Sequence, residues 1–408
     1  MNDSGTTKMT RRQALRTAGA AGIYLGTAKA FGQPADPSGA KRKIKLGIVG
    51  CGGRGGWLAK LFKEHGGYEI HAVADYFQRV ADKCGDEVGV NSKRRFSGLS
   101  GHRKLIESGV EAIALETPPY FLPGYAEAAV EAGLHVYMAK PVAVDAPGCM
   151  SVLATGKKAT RNKRVFLVDY QVPTDPLNQR IVASIHAGHL GEIAQVMTFG
   201  RCGGFPDPVR TENIESRLES LIWVNDIALG CDYIGNYDIH AIDAALWAIG
   251  QRPISAMGSS RICRPDPHGD AHDVCSVIYQ YENGVVHNHF GEGLNNNSHS
   301  KSLTCDVFGQ KASAQIDYFG KSFIRGGPGH CSGKVEALYS SGAKRNIDKF
   351  YKSITEENFE NDTLQRSVDG VLTAILGKEA AARGTLLTMD QVIKENKECQ
   401  PDLTGLKS

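Results

Sequence analysis

Little in this chain of 408 residues marks it for a polyanionic or membrane-bound role. Its formal net charge is only +3. No block of Lys and Arg follows the first forty residues, so the chain lacks the basic face that nucleic acid or an anionic membrane surface requires. No apolar run approaches the roughly 18–20 residues that a permanent spanning helix needs. The ten cysteines contain no C-x-x-C pair and follow no regular spacing. That excludes a zinc ribbon, and a chain this long buries enough core to do without disulfide staples. The cysteines read mostly as small buried residues, with Cys202 and Cys231 able to pair. The composition, 41% hydrophobic and 22% charged, is ordinary for a globular protein, and the length allows two or three domains.

Near the start, Thr10-Arg11-Arg12-Gln13-Ala14-Leu15 resembles a twin-arginine export signal. A weakly apolar stretch from Ala18 to Ala28 and a small-residue cleavage pattern, Ala28-Lys29-Ala30, follow it. Residues 1–30 therefore read as a signal peptide and 31–43 as a linker. The expected location is the periplasm or another exported site, with no membrane segment in the mature chain.

The segment Lys43 to Gly50 reads as a buried strand running into a tight turn. Gly50, Gly52 and Gly55, with Cys51, Gly53 and Arg54 between them, have the G-x-G-x-x-G spacing of a dinucleotide fingerprint. The first glycine lets the chain turn, the second lets the backbone approach a pyrophosphate, and the third lets helix and strand pack closely. Leu58, Leu61 and Phe62 then give a helical apolar stripe, whose N-terminus can hold the pyrophosphate. A second strand, Glu69 to Ala74, ends at Asp75, twenty residues beyond Gly55. A carboxylate there suits the adenosine ribose and disfavours a 2′-phosphate, so NAD is expected; Arg79, one helical turn on, keeps NADP open. Alternation continues with strands at Ala112–Glu116, Leu134–Met138 and Val165–Val168, and with helices near Gly124–Ala132 and Pro147–Thr160. This predicts an α/β doubly wound parallel sheet over 44–170 with Thr117, Pro118, Lys140 and Tyr170 at strand ends, where ligands bind.

After Tyr170 the pattern becomes an α+β domain with an open, mainly antiparallel sheet, expected over 171–345. Its strands fall at Ile193–Phe199, Ile254–Met257, Val274–Tyr281, Val285–Phe290, Leu303–Phe308 and Ala312–Ile316, and Glu282-Asn283-Gly284 marks a hairpin. In Asp232 to Trp247, Ile239, Ile242, Leu246 and Ile249 form a buried stripe, while Asn236, His240 and Asp243 recur on another face of what reads as one helix. The helix from Asn361 to Arg383 is expected to return and brace the nucleotide domain, within a C-terminal part spanning 346–408. His268, Asp270, His272 and Asp273 crowd one loop, but their spacing is poor for a metal and none is expected. His287 and His289 share one strand face and read as lining a cleft.

The glycine turn, Thr117-Pro118, Lys140-Pro141, the His240 helix and Leu372 to Ala381 together resemble the Gfo/Idh/MocA oxidoreductases, the group of glucose–fructose oxidoreductase and inositol dehydrogenase. The resemblance implies that Lys140 touches the reacting hydroxyl and the nicotinamide ribose, and that His240 is the acid/base. It also implies that Tyr170, Gln171 and Asp243 meet substrate, and that the open sheet packs against another copy in a homodimer or homotetramer. The family usually has Glu-Lys-Pro where this chain has Ala139-Lys140-Pro141, and an Asp where it has Asn236. Its Arg shortly after Tyr170 is absent, with Val172-Pro173-Thr174 in its place. The spacing Tyr237-x-x-His240 resembles a branch of NAD-dependent glycosidases in the same superfamily. Three readings follow. The first is an NAD(P)-dependent oxidoreductase acting on a secondary hydroxyl of a sugar, glycoside or cyclitol, its cofactor tightly bound because the periplasm supplies no free nicotinamide nucleotide. The second is a redox-neutral glycosidase that oxidises the third carbon of the sugar transiently, eliminates, adds water and re-reduces. The third is a non-catalytic Rossmann scaffold, suggested by Ala139 and Asn236.

Overall fold

The computed structural model describes residues 42–296 and 301–408; the expected export signal and most of the expected linker lie outside the described residues. Six parallel strands form the first sheet: β1 (Ile44–Val49), β2 (Tyr68–Asp75), β3 (Arg95–Ser97), β4 (Ala112–Leu115), β5 (His135–Ala139) and β6 (Phe166–Asp169). Their order is β3-β2-β1-β4-β5-β6. The crossovers are α1 (Gly53–His65), α2 (Gln78–Val88), α3 (Gly101–Glu107), α4 (Leu122–Glu131) and α5 (Ala146–Arg161). Helices cover both faces, which is why Ala112-Ile113-Ala114-Leu115 is apolar and buried throughout rather than alternating. Strand order reverses between β1 and β4, which opens a crevice at their carboxyl ends.

The second sheet has nine strands: β7 (Ile193–Cys202), β8 (Ser255–Arg261), β9 (Val274–Gln280), β10 (Val286–Gly293), β11 (Ser302–Gly309), β12 (Ser313–Asp317), β13 (Lys321–Arg325), β14 (Cys331–Lys334) and β15 (Leu387–Thr388). The order is β14-β13-β12-β11-β7-β10-β9-β8-β15, antiparallel except where β7 runs parallel to β10. Gly284, at φ +81°, turns β9 into β10 as the Glu-Asn-Gly pattern requires. Side chains alternate along β10, with His287 and His289 inward and Val286 and Phe290 outward. Before β7 comes α6 (Pro176–His186), and between β7 and β8 come α7 (Ile227–Gly230), α8 (Asp232–Asn236) and α9 (Ile239–Ile249).

After β14 come α10 (Leu338–Thr355), α11 (Leu364–Arg383) and, beyond β15, α12 (Met389–Glu395). Two helices of the C-terminal part, not one, brace the nucleotide domain. The one not foreseen is α10, which crosses the expected boundary at 345. Its stripe Ala343, Ile347, Phe350 and Ile354 joins Phe62, Tyr68 and Tyr137 in the core under α1. The 361–383 stripe forms α11, which returns as expected: it packs on α5 and β6 of the nucleotide domain as well as on β8, β9 and α9, and so joins the two sheets. The cysteine pairing is also not made: all ten are free thiols, Cys202 and Cys231 included.

Candidate active site

The glycine turn has the shape a dinucleotide needs. Gly50 sits at φ +87°, and a side chain there would strike the main chain of Glu116 and Thr117. At Gly55 it would strike the carbonyl of Gly50, so this glycine serves the close contact of helix and strand. Gly52 and Gly53 differ, since a Cβ at either meets no protein atom within 4 Å. The fold does not require these two glycines; a ligand lying on the backbone would. The N-terminus of α1 has no side-chain cap and no acid in its first turn, leaving its N–H groups and positive dipole for a pyrophosphate. Asp75 ends β2 beside this turn and accepts from the N–H groups of Cys51 at 2.8 Å and Phe77 at 3.0 Å. Burial raises its pKa. Arg79 is ion-paired to Glu219. Thr117 lies at the end of β4 with its buried hydroxyl unpartnered, and Pro118 follows it into a short 3-10 turn.

Arg54 departs from the expectation. Its guanidinium turns inward to Glu116 and Asp169 and lies over the Tyr339 ring at 5.0 Å. Only its backbone belongs to the pyrophosphate cradle. Arg79 and Arg54 thus both answer to carboxylates of this chain.

Lys140 and His240 do converge. Lys140 follows β5, and its Nζ donates to the main-chain carbonyl of Asn236 at 2.6 Å. Burial, then the charge of Arg54, brings its pKa down to about 7. His240 is buried between Tyr170 and Tyr318, with ring centroids 6.0 and 4.9 Å away. Burial, reinforced by Lys140 and Arg54, holds it well below the usual imidazole range, so it is neutral. Its Nδ1 is buried without a partner, as are the hydroxyls of Tyr170 and Tyr237. Buried polar atoms are nearly always bonded. The unpartnered His240 Nδ1 beside Lys140 therefore marks where a polar ligand would sit, whereas the Tyr170 hydroxyl faces Gly370 of α11 in the core.

The single helix read from Asn236 to Asp243 is in fact two, α8 and α9, broken at Tyr237-Asp238. The cause is Asp238, whose carboxylate reaches down to the sheet beside Gly200 and Gly291, where any Cβ would collide with it. There His289 Nε2 lies 3.1 Å away. Asn236, the last residue of α8, gives its main-chain carbonyl to Lys140. Asp243, expected to meet substrate, is fully buried and held at 2.7 Å by Arg366 of α11. Gln171 is likewise committed, donating to Asp169 at 2.9 Å and accepting from the Tyr318 hydroxyl at 3.1 Å.

His287 and His289 do not line a cleft. They are buried under the sheet in a chain from Tyr281 through His287, Thr198 and His289 to Asp238. The crowded loop disperses its groups: Asp270 caps α7 at Ile227, His272 meets Ser260, and Asp273 meets Arg264. The described residues bring Asp238, Cys275 and His289 within 4.8 Å instead, but Asp238 and His289 already satisfy one another. The sequence reading missed Glu116, Asp169, Tyr318 and Asn346. The one visible signal was Glu116, a lone acid ending an otherwise apolar strand.

Comparison with known proteins agrees with this geometry. Residues 44–170 match the model for an oxidoreductase family with an NAD-binding Rossmann fold, and 178–315 match the GFO/IDH/MocA C-terminal domain. Inositol 2-dehydrogenase of Rhizobium meliloti (strain 1021) is 24% identical over 243 residues, 59% of this chain and 66% of the relative. A glycosyl hydrolase family 109 protein of Solibacter usitatus (strain Ellin6076) is 26% identical over 166 residues, 38% of each chain. The chain therefore spans under two thirds of the length of these relatives. Among solved structures, an inositol dehydrogenase homologue from Azotobacter vinelandii complexed with NAD+ superposes with a TM-score of 0.71. It has 20% identity and covers 86% of this chain and 98% of its own. Aldose-aldose oxidoreductase from Caulobacter crescentus gives 0.67 at 19% identity, covering 85% and 100%.

Proposed function

Since the chain belongs to the Gfo/Idh/MocA oxidoreductase family, we propose that it is an exported enzyme that uses captive NAD to withdraw hydride from a secondary hydroxyl carbon of a sugar, glycoside or cyclitol. The observation that carries this reading is the meeting of Lys140 with a buried, neutral, half-unbonded His240 beside the open glycine cradle.

NAD, when bound, is the hydride acceptor. The residues of this chain do the rest. A neutral imidazole can take the hydroxyl proton as the C–H bond breaks. A Lys140 ammonium beside it lowers the cost of the developing alkoxide. Tyr170 and Tyr318 wall the imidazole from water. The Tyr237 hydroxyl and the Thr117 Oγ1 are unpartnered and left for substrate or cofactor. One of the two departures that suggested a scaffold has a positive role: Ala139 leaves space for Arg54.

Captivity of the cofactor has its own support. Past Asp75, Tyr76 donates to Glu215 at 2.8 Å and accepts from the N–H of Lys407 at 3.0 Å, while Arg79 pairs with Glu219. The loop before α7 and the C-terminal tail thus strap the end of β2, where an adenosine would lie. With the export signal, this favours a nucleotide recycled in place. The outer face of the second sheet carries Met257, Ile278, Met197 and Phe290, all exposed. Met257, Ile278, Asn288 and Met197 lie in one row across β8, β9, β10 and β7. Such a contiguous apolar face fits a second copy of the chain.

A second reading, the redox-neutral glycosidase, is favoured by the free Tyr237 hydroxyl three residues before His240 and by the Solibacter relative's name. Incubating the purified chain with free sugars, cyclitols and aryl glycosides, without added cofactor, separates the two. Reduced nicotinamide or a ketosugar supports the oxidoreductase. Release of aglycone with no net reduction supports the glycosidase.

A further inference from the structure

Under the second sheet, three side chains from three segments point at one spot. Register sets Gly200 of β7, Gly291 of β10 and Cys275 of β9 side by side in one row. His289 stands two residues before Gly291 on the same face. Asp238 drops onto the row from the break between α8 and α9. A side chain at Gly291 would begin against Asp238 Oδ2, 2.8 Å from Cys275 Sγ and 3.4 Å from His289 Nε2. The three ligand-type atoms thus enclose the space above this glycine, all within 4.8 Å of one another. The contact of His289 Nε2 with Asp238 Oδ2 at 3.1 Å accounts for two of them. It does not account for the sulfur.

The set has the chemistry of a metal site. Carboxylate, thiolate and imidazole are all ligands of Zn2+, which lies roughly 2.0–2.3 Å from each. Asp238 and His289 are buried, while Cys275 is half-buried, so the sulfur side gives an ion its way in. A divalent ion would balance the Asp238 carboxylate and a Cys275 thiolate, leaving no net charge in the core, where an unbalanced one is costly. The thiol proton passes to solvent on binding. Behind the ring, His289 Nδ1 lies 2.9 Å from Thr198 Oγ1, which lies 2.6 Å from His287 Nε2. His287 Nδ1 in turn lies 3.1 Å from the Tyr281 hydroxyl. A metal-bound imidazole almost always has its far nitrogen held in this way. Every hydroxyl and ring in the chain can both donate and accept, so it can run in the sense that leaves Nε2 bare for an ion.

We propose that Asp238, Cys275 and His289 form a binding site for a divalent ion of the zinc type, which ties the break between α8 and α9 to the sheet. Tyr237 directly precedes Asp238 and His240 follows it by two residues, so the ion fixes the segment that presents both. The full chain is expressed with zinc in the medium, desalted and analysed by elemental mass spectrometry. It is then stripped with chelator under reducing conditions and titrated with zinc against a chromophoric chelator. About one zinc per chain is expected, with a Kd of about 1 μM or tighter. Cys275→Ser should weaken binding by about a hundredfold or more, and Thr198→Val, which removes the support behind His289, by about tenfold. Cys263→Ser, at an exposed thiol, should leave it unchanged. Cobalt(II) in the wild-type chain reports the sulfur without any substitution, through a thiolate-to-metal charge-transfer band. Uptake well under one equivalent of zinc, a cobalt complex without that band, or a Cys275→Ser chain that binds zinc as tightly as wild type overturns the proposal. None of these outcomes touches the hydride-transfer reading, which stands or falls on nucleotide and substrate.

Discussion

His240 carries no proton at neutral pH, because burial and two nearby cations all disfavour the imidazolium. It is therefore ready to accept a proton, and its replacement should be felt in kcat. His240→Ala is expected to lower kcat for alcohol oxidation by about a hundredfold or more while NAD still binds; a near-normal rate would remove the assignment. His287 offers a separate test of buried neutrality. Burial lowers its pKa to about 3, with His289 adding to the effect. In the unfolded chain it titrates near an ordinary value of ~6.5. Between those two values the unfolded state binds the extra proton, so acidification through that window costs stability, and above it the penalty vanishes. Stability measured by denaturant from pH 7 to pH 4 should therefore fall less steeply in His287→Gln than in wild type. Equal slopes would contradict the buried neutral assignment.

Among elements, the glycine turn separates what the fold needs from what a ligand needs. Gly52→Ala meets no protein atom. It is expected to leave the melting temperature within a few degrees of wild type while weakening NAD about tenfold or more, as read by calorimetry, since its Cβ intrudes where the pyrophosphate approaches. Gly55→Ala should instead destabilise the domain, because its Cβ meets the Gly50 carbonyl.

The glycine turn and the strand–helix alternation were legible in the sequence because both are set by local spacing. Lys140 and His240 were legible only through resemblance. The row of Glu116, Ala139 and Asp169 was hidden, because parallel register brings together residues whose partners lie a whole crossover apart in the chain. The α8–α9 break was hidden for a similar reason. Its cause, a pocket left by Gly200 and Gly291 for Asp238, belongs to two distant strands. The α10 brace escaped because Ala343, Ile347, Phe350 and Ile354 are interleaved with Lys and Arg, whereas the more apolar α11, which also packs on the nucleotide domain, was legible.

For the whole molecule, two surfaces bear on cofactor retention and self-association. The strap over β2 should slow cofactor loss, so deleting residues 402–408, which removes the Lys407 contacts to Tyr76 and Glu215, is expected to raise the rate of NAD release during dialysis several-fold. Retention equal to wild type would show that the tail does not hold the nucleotide. The exposed sheet face should hold two copies together, and Ile278→Asp with Phe290→Asp is expected to yield monomers by light scattering.

The most direct test of captive-NAD chemistry is single. The chain is purified without added nucleotide, dialysed extensively and mixed with a panel of polyols and glycosides while reduced-nicotinamide absorbance is followed. The expected result is one equivalent or less of reduced nicotinamide per chain, formed in a burst with the matching substrate and reversed by a second carbonyl compound. A chain that carries no nucleotide after purification, and binds neither NAD nor NADP when they are supplied, would contradict it.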